Sequence, residues 1–226
     1  MDFHGQHMAV TGGSSGIGLV TAQLLASRGA RVSLVARRRE LLDEAVAGIG
    51  ENAAGFAADV GDKAQLEGAL EAAAARFGPV HGLFANAGLT GGFTPAVAFD
   101  PAVFEETIRV NLTSVFWAIQ KVLPAMIAAR NGVILVTGSM GSKRGMAMNP
   151  AYVASKHGVL ADPGDRLVEQ FLAPRDQRHP RAAARQQLRG DETDPARAAG
   201  DDDVLAVEVH QLSRVRISAA HFGASA

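Results

Sequence analysis

The sequence predicts a doubly wound α/β fold, a parallel sheet with helices on both faces. Three observations lead there. Short apolar runs without strict polar alternation recur along the chain, as strands buried on both faces do. Segments of helical periodicity separate them, which is the pattern of successive strand–helix–strand units. A glycine-rich run, Gly12-Gly13-Ser14-Ser15-Gly16-Ile17-Gly18, stands where the first strand turns into the first helix.

Met8 to Thr11 reads as the first strand. The helix after the glycine run extends to about Gly29, with Leu19, Ala22, Leu25 and Ala26 at helical spacing. Arg31 to Ala36 is the second strand and Arg39 to about Ile49 the second helix. Gly55 to Val60 is the third strand. Asp62 reads as the N-cap of a helix that ends near Phe77-Gly78-Pro79. Val80 to Ala85 is the fourth strand. Asp100-Pro101, a cap followed by proline at the first helical position, opens a long helix towards Arg130. Gly132 to Thr137 is the fifth strand. In such a fold ligands bind outside the carboxyl ends of the strands.

Composition narrows the function. The 226 residues, 47% of them hydrophobic, suit one domain with a full core. A net charge of −1 gives no electrostatic case for nucleic acid or a membrane as partner. Cysteine is absent, which excludes disulfides, thiolate catalysis and cysteine-bound zinc. The first residues show neither a cationic segment nor an apolar one, and no uninterrupted apolar stretch is long enough to cross a bilayer. A cytoplasmic protein with no metal site is expected.

Glycines at 12, 16 and 18 permit a tight turn and let the backbone approach a pyrophosphate at the helix N-terminus. Ser14, Ser15 and Ile17 belong to the same cofactor-binding loop. The end of the second strand reports on the cofactor's ribose. An acid there would accept hydrogen bonds from a free 2′-hydroxyl, but Ala36 is followed by Arg37, Arg38 and Arg39. Guanidinium groups suit a 2′-phosphate, so NADP (NADPH) is expected over NAD, with Arg37 and Arg38 as the contacts. The bland reading is that an exposed arginine cluster merely begins a solvated helix.

The chain has a single tyrosine, Tyr152, four residues before Lys156. That spacing sets phenol and ammonium on one helical face. A free phenol is a poor acid–base catalyst at neutral pH. A cation about 4 Å away at an effective dielectric near 20 supplies roughly 4 kcal/mol of phenolate stabilisation, enough to make it useful.

Together, Thr11-Gly12-x-x-x-Gly16-Ile17-Gly18, Asp59-Val60, Asn86-Ala87-Gly88, Asn111, Ser139 and Tyr152-x-x-x-Lys156 resemble the short-chain dehydrogenase/reductase family, from about Met8 to Leu160. The resemblance implies a Rossmann-like, nucleotide-binding oxidoreductase that interconverts an alcohol and a ketone. It implies that Tyr152 donates or removes the substrate proton, while Lys156 favours the phenolate and holds the nicotinamide ribose. Ser139 would bond the substrate oxygen. Asn111 would help hold a proton-relay water. Asp59 and Val60 would contact the adenine, and Asn86, Ala87 and Gly88 would close the cofactor site. Asn111 as a locally bonded helix residue and Asp59 as a loop cap are the bland alternatives. Ser142, Ser155 and His157 read as structural.

The resemblance stops after Leu160. Pro163-Gly164 interrupts an expected helix, and Arg166 to Ala173 briefly regains helical character. Between Pro174 and Asp203 the only large aliphatic residue is Leu188, too little apolar surface to offset ordering entropy. Val204 to Val209 could form a strand, but no Pro-Gly turn of the family's kind follows. The expected division is therefore a catalytic domain over residues 1–173 and an atypical region over 174–226, with the C-terminal strands missing or irregular. We hypothesise a reading-frame change. Codons for Arg175 to Arg181, read one nucleotide later, can encode valine, isoleucine, asparagine, valine, isoleucine, proline and glycine, a strand with a Pro-Gly turn. A natural divergent tail is the rival. Either way the substrate pocket and the homo-oligomer contacts that the family implies would lose their C-terminal part. A catalytically impaired NADP-binding or regulatory protein is then the alternative function, and a product that never folds stably a third.

Overall fold

The computed structural model of the chain describes residues 3–159 and the backbone of a strand at 212–217. Its elements are β1 (His7–Thr11), α1 (Gly16–Ala26), β2 (Arg31–Ala36), α2 (Arg39–Ile49), β3 (Ala53–Ala57), α3 (Lys63–Phe77), β4 (Gly82–Ala85), α4 (Pro101–Ile108), α5 (Ser114–Ala128), β5 (Gly132–Thr137), α6 (Pro150–Val159) and β6 (Leu212–Ile217). The sheet order is β3-β2-β1-β4-β5-β6, with β1 to β5 parallel. The chain winds outwards from β1 to β3, then returns to β4 on the other side of β1. The switch point between β1 and β4 is where such folds hold ligands.

Each sheet face has its own core. Val10, Val32 and Leu34 pack under α1 and α2 with Ala22 and Leu42. On the opposite face Leu83 and Ile134 pack against Leu66 and Leu70 of α3 and Ile119 and Met126 of α5. Burying apolar side chains on both faces explains why the strands lack polar alternation. The helix from Pro101 to Ala128 is long and apolar enough to cross a bilayer, but half of its most apolar window is buried inside the fold. It serves as a core helix here.

The caps read from the sequence form. The Asp62 carboxylate accepts from Gln65 N at 3.1 Å, and Asp100 from Ala102 N at 2.9 Å with Pro101 at the first helical position. Three boundaries differ from expectation. The first helix stops at Ala26 because Ser27 to Gly29 forms a turn with Gly29 at φ +86°. The third strand lies earlier, at Ala53–Ala57, because Asp59 Oδ1 accepts from Gly61 N at 2.8 Å and turns the chain before Asp62. The long helix is divided by a π-helical turn at Arg109–Thr113.

The outer edge of β5, expected to lack a regular partner, is paired by β6. The pairing is antiparallel, from Gly132 opposite Ile217 to Thr137 opposite Leu212. It satisfies the backbone groups that an open edge would expose. The proline-glycine break, the helical stretch 166–173, the strand candidate Val204 to Val209 and the 173/174 boundary lie outside the described residues.

Candidate active site

The glycine loop is built by close approach. Gly12 sits at φ +66°, and a Cβ there would lie 3.0 Å from Ala87 Cα. A Cβ at Gly18 would overlap the Gly12 carbonyl and lie 2.7 Å from Asn86 Nδ2. Both positions therefore require glycine. Gly16, at φ +53°, has open space where a Cβ would be. Ser15 caps α1 by its backbone position but makes no side-chain capping bond, so the first N–H groups of α1 are left for an anion.

An open cleft runs from this loop across the ends of β2 and β3. Its walls include Gly12, Ser14, Ser15, Arg37, Arg38, Asp59, Val60, Ala87 and Gly88. Nine of the fifteen expected cofactor contacts thus line one surface. Arg38 Nη2 donates to Ser15 Oγ at 3.5 Å, which draws a guanidinium to the rim of the glycine loop. Asn86 and Gly18 lie beneath the loop, and Ile17 is 43% exposed at the start of α1. The glycine turn, the free helix terminus and the two arginines fit a dinucleotide phosphate group.

The catalytic candidates gather beyond Gly88, on the side of β5 and α6. Lys156 is buried, and its Nζ donates to Thr137 O at 2.8 Å. Burial lowers its pKa from 10.5 to about 8. The same Nζ lies 5.7 Å from the centroid of the Tyr152 ring, so the four-residue spacing does bring ammonium and aromatic ring together. A Cβ on Gly88 would be 3.2 Å from Asn111 Oδ1 and 3.9 Å from Lys156 Nζ, which places this glycine where cleft and catalytic side chains meet.

Ser139 opens a single 3-10 turn at Met140–Ser142. Its Oγ accepts from Gly141 N at 3.1 Å, and Ser142 Oγ accepts from Ser139 N at 3.1 Å. The structural reading of Ser142 is thereby explained, and the Ser139 hydroxyl proton stays available to a substrate oxygen. A Cβ on Gly141 would lie 3.3 Å from Tyr152 Cδ1 and Cε1, so the turn carrying Ser139 rests close to the tyrosine ring.

Asn111 occupies the π turn, 1% exposed. Its Oδ1 accepts from Leu89 N at 2.7 Å, and its Nδ2 donates to Leu89 O at 2.8 Å and Ser155 Oγ at 3.0 Å. Ser155 Oγ in turn donates to Tyr152 O at 2.8 Å. The side-chain amide thus clamps the segment after β4 to α6. Both of its donor hydrogens are used in doing so. Asp59 likewise spends one oxygen on the Gly61 turn while lining the cleft. His157 is exposed and bonds Val153 O, one turn back on its own helix.

Three further contributors had no role assigned from the sequence, although Thr11 stands in the quoted motif. Thr11 Oγ1 accepts from Asn86 N at 3.0 Å and Ala87 N at 3.2 Å, tying β4 to the glycine loop. Thr137 bonds Asn86 Oδ1 through its hydroxyl. Leu89 supplies both backbone groups for Asn111. Thr11 had a signal, since it precedes Gly12 at the strand end. The other two act through backbone or long-range contacts that no local pattern reveals.

Comparison with known proteins agrees with this layout. The short chain dehydrogenase profile matches residues 6–161, ending where the sequence changes character. Levodione reductase of Leifsonia aquatica is 38% identical over 165 residues, which cover 71% of this chain and 62% of that protein. Cyclohexanol dehydrogenase of an Acinetobacter strain is 34% identical over 161 residues, 70% of this chain and 64% of its own length. The crystal structure of levodione reductase superposes with a TM-score of 0.67 over 70% of this chain and 63% of that one. An NAD+-bound xylitol dehydrogenase, 31% identical, gives 0.68 over 70% and 62%. The chain thus spans just over three-fifths of the length of these relatives. Profile, identity and superposition concern the same part of the molecule, the part that carries the glycine loop and the Ser139, Tyr152 and Lys156 cluster: the chain belongs to the short-chain dehydrogenase/reductase family.

Proposed function

We propose that this protein is a cytoplasmic NAD(P)-dependent oxidoreductase that interconverts an alcohol and a ketone on a small molecule, with NADP(H) preferred. The observation that carries the reading is the meeting of two surfaces at Gly88. A phosphate-ready cleft lies on one side, and a buried lysine beside the only tyrosine lies on the other. When bound, the dinucleotide supplies or takes the hydride. Tyr152 gives a proton to the substrate oxygen during reduction and removes it during oxidation. The cation of Lys156 favours the phenolate form that this cycle passes through. Ser139 donates its hydroxyl proton to the substrate oxygen, orienting it and stabilising developing charge.

The preference for NADP(H) rests on the end of β2, where Ala36 stands in place of an acid that could accept from a ribose hydroxyl and is followed by Arg37 and Arg38 at the cleft wall. Calorimetric titration with NADPH and NADH tests it. NADPH should bind more tightly, and Arg38→Ala should remove most of the difference. Equal affinities in the unmodified protein would refute the preference, and binding of neither would refute the dinucleotide reading. A second reading, a dinucleotide-binding protein without turnover, is favoured by the change in sequence character after residue 160. Binding of NADPH without consumption across a panel of ketones would select it.

A further inference from the structure

We propose that Thr137 is the positioning residue that registers the phosphate-binding loop against Lys156, and so sets dinucleotide affinity without touching the dinucleotide. The inference rests on the dinucleotide reading above and assigns it a residue outside the family motifs quoted from this sequence.

The geometry is a continuous chain of hydrogen bonds. Thr137 ends β5, and its two polar groups face different partners. Its hydroxyl donates to Asn86 Oδ1 at 2.9 Å, while its carbonyl accepts from Lys156 Nζ at 2.8 Å. The other end of the Asn86 amide reaches the glycine loop. Nδ2 donates towards Thr11 O at 3.3 Å and Gly12 O at 3.5 Å, and it lies directly under the position where Gly18 must lack a Cβ. One amide therefore supports the backbone of Gly12 and the approach of Gly18.

The loop carbonyls decide which way that amide points, and the hydroxyl completes the arrangement. An amide has one accepting and one donating end, and the two carbonyls at the loop require the donating end. That leaves Oδ1 directed at Thr137, which answers with a proton. If valine replaced threonine, Oδ1 would lose its partner in a partly buried place, and a flipped amide would set an oxygen against two carbonyls. Either outcome loosens the floor of the loop. Serine keeps the hydroxyl and should keep the function.

The test compares Thr137→Val and Thr137→Ser with the unmodified protein. NADPH affinity by calorimetry should fall roughly three- to tenfold in Thr137→Val, the equivalent of one ordinary hydrogen bond. Thr137→Ser should stay within about twofold of the unmodified protein, since it keeps that bond. In steady-state assays Thr137→Val should raise KM for NADPH more than it lowers kcat, a split that general loss of folded protein would not give. In the absence of dinucleotide, amide hydrogen exchange at Asn86 and Ala87 should quicken in Thr137→Val and not in Thr137→Ser. Unchanged affinity or unchanged exchange in Thr137→Val overturns the proposal, as does a serine variant as impaired as the valine one. A protein that binds no NADPH in any form refutes the dinucleotide reading instead, and the exchange measurement still decides the role of Thr137 in the loop.

Discussion

Replacing Lys156 by methionine should make the fold more stable at neutral pH while removing its chemistry. Lys156 is 5% exposed, and burial lowers its pKa from 10.5 to about 8. At about 1.4 kcal/mol per unit, holding it charged at pH 7 costs the folded state roughly 3 kcal/mol. Methionine has a similar unbranched stem and no charge to desolvate. It forfeits the charge-assisted bond to Thr137 O, worth about 2 kcal/mol, so the expected net gain is roughly 1 kcal/mol. The sign follows from the folded pKa being the lower one. The stability contribution of a neutral lysine is fully present above 10.5 and is lost as pH falls through about 8. The advantage of Lys156→Met should therefore shrink by about 1 kcal/mol between pH 7 and pH 9, as the unmodified protein sheds its buried charge. Urea unfolding at the two pH values measures this directly. A variant no more stable at pH 7, or a difference that does not change with pH, would refute the argument that Lys156 is held charged at the expense of the fold.

Other expectations follow from particular contacts. Gly18→Ala places a methyl group against the Gly12 carbonyl and Asn86 Nδ2, so it should destabilise the fold by about 1–3 kcal/mol and abolish NADPH binding in calorimetry. Asp100→Ala removes the cap of α4 and should cost about 1 kcal/mol in urea unfolding, with NADPH affinity unchanged. His7 is fully buried between Gly78 O and Ser33 Oγ, both at 2.7 Å, and burial chiefly holds its pKa below 6.5. Its contribution to stability is complete above 6.5 and is lost as pH falls from there towards its lower folded value, so the urea midpoint should drop in that window and His7→Gln should flatten the drop. Sequencing the coding DNA beyond the codon for Leu160 tests the frame-change hypothesis. An alternative frame that restores a strand ending in Pro-Gly supports it, and none doing so removes it.

The sequence made the winding order legible because hydrophobic burial on both sheet faces leaves long apolar runs, and because caps such as Asp62 and Asp100-Pro101 are local devices. The second strand and second helix appear over the expected residues for that reason. What was hidden is what depends on distant partners. The π turn at Asn111 has no composition of its own, and the clamp between Asn111 and Leu89 joins residues 22 apart. The third strand, expected at Gly55 to Val60, starts and ends earlier, because a carboxylate beside Gly61 offers the backbone a competing bond at the Asp59 turn. His7 stands just before the strand expected from Met8 and is a core residue, because its two ring nitrogens find partners on α3's exit and on β2. Tyr152 and Lys156 were visible by spacing. The bond from Lys156 to Thr137, which orients the ammonium, was not.

Under the proposed function, Tyr152 moves the substrate proton in a dinucleotide-dependent reaction. The most direct test removes only its hydroxyl: NADPH affinity and ketone-dependent NADPH consumption are measured for the unmodified protein and for Tyr152→Phe. Affinity should be unchanged in the variant, with consumption lost. Comparable consumption by Tyr152→Phe would contradict it.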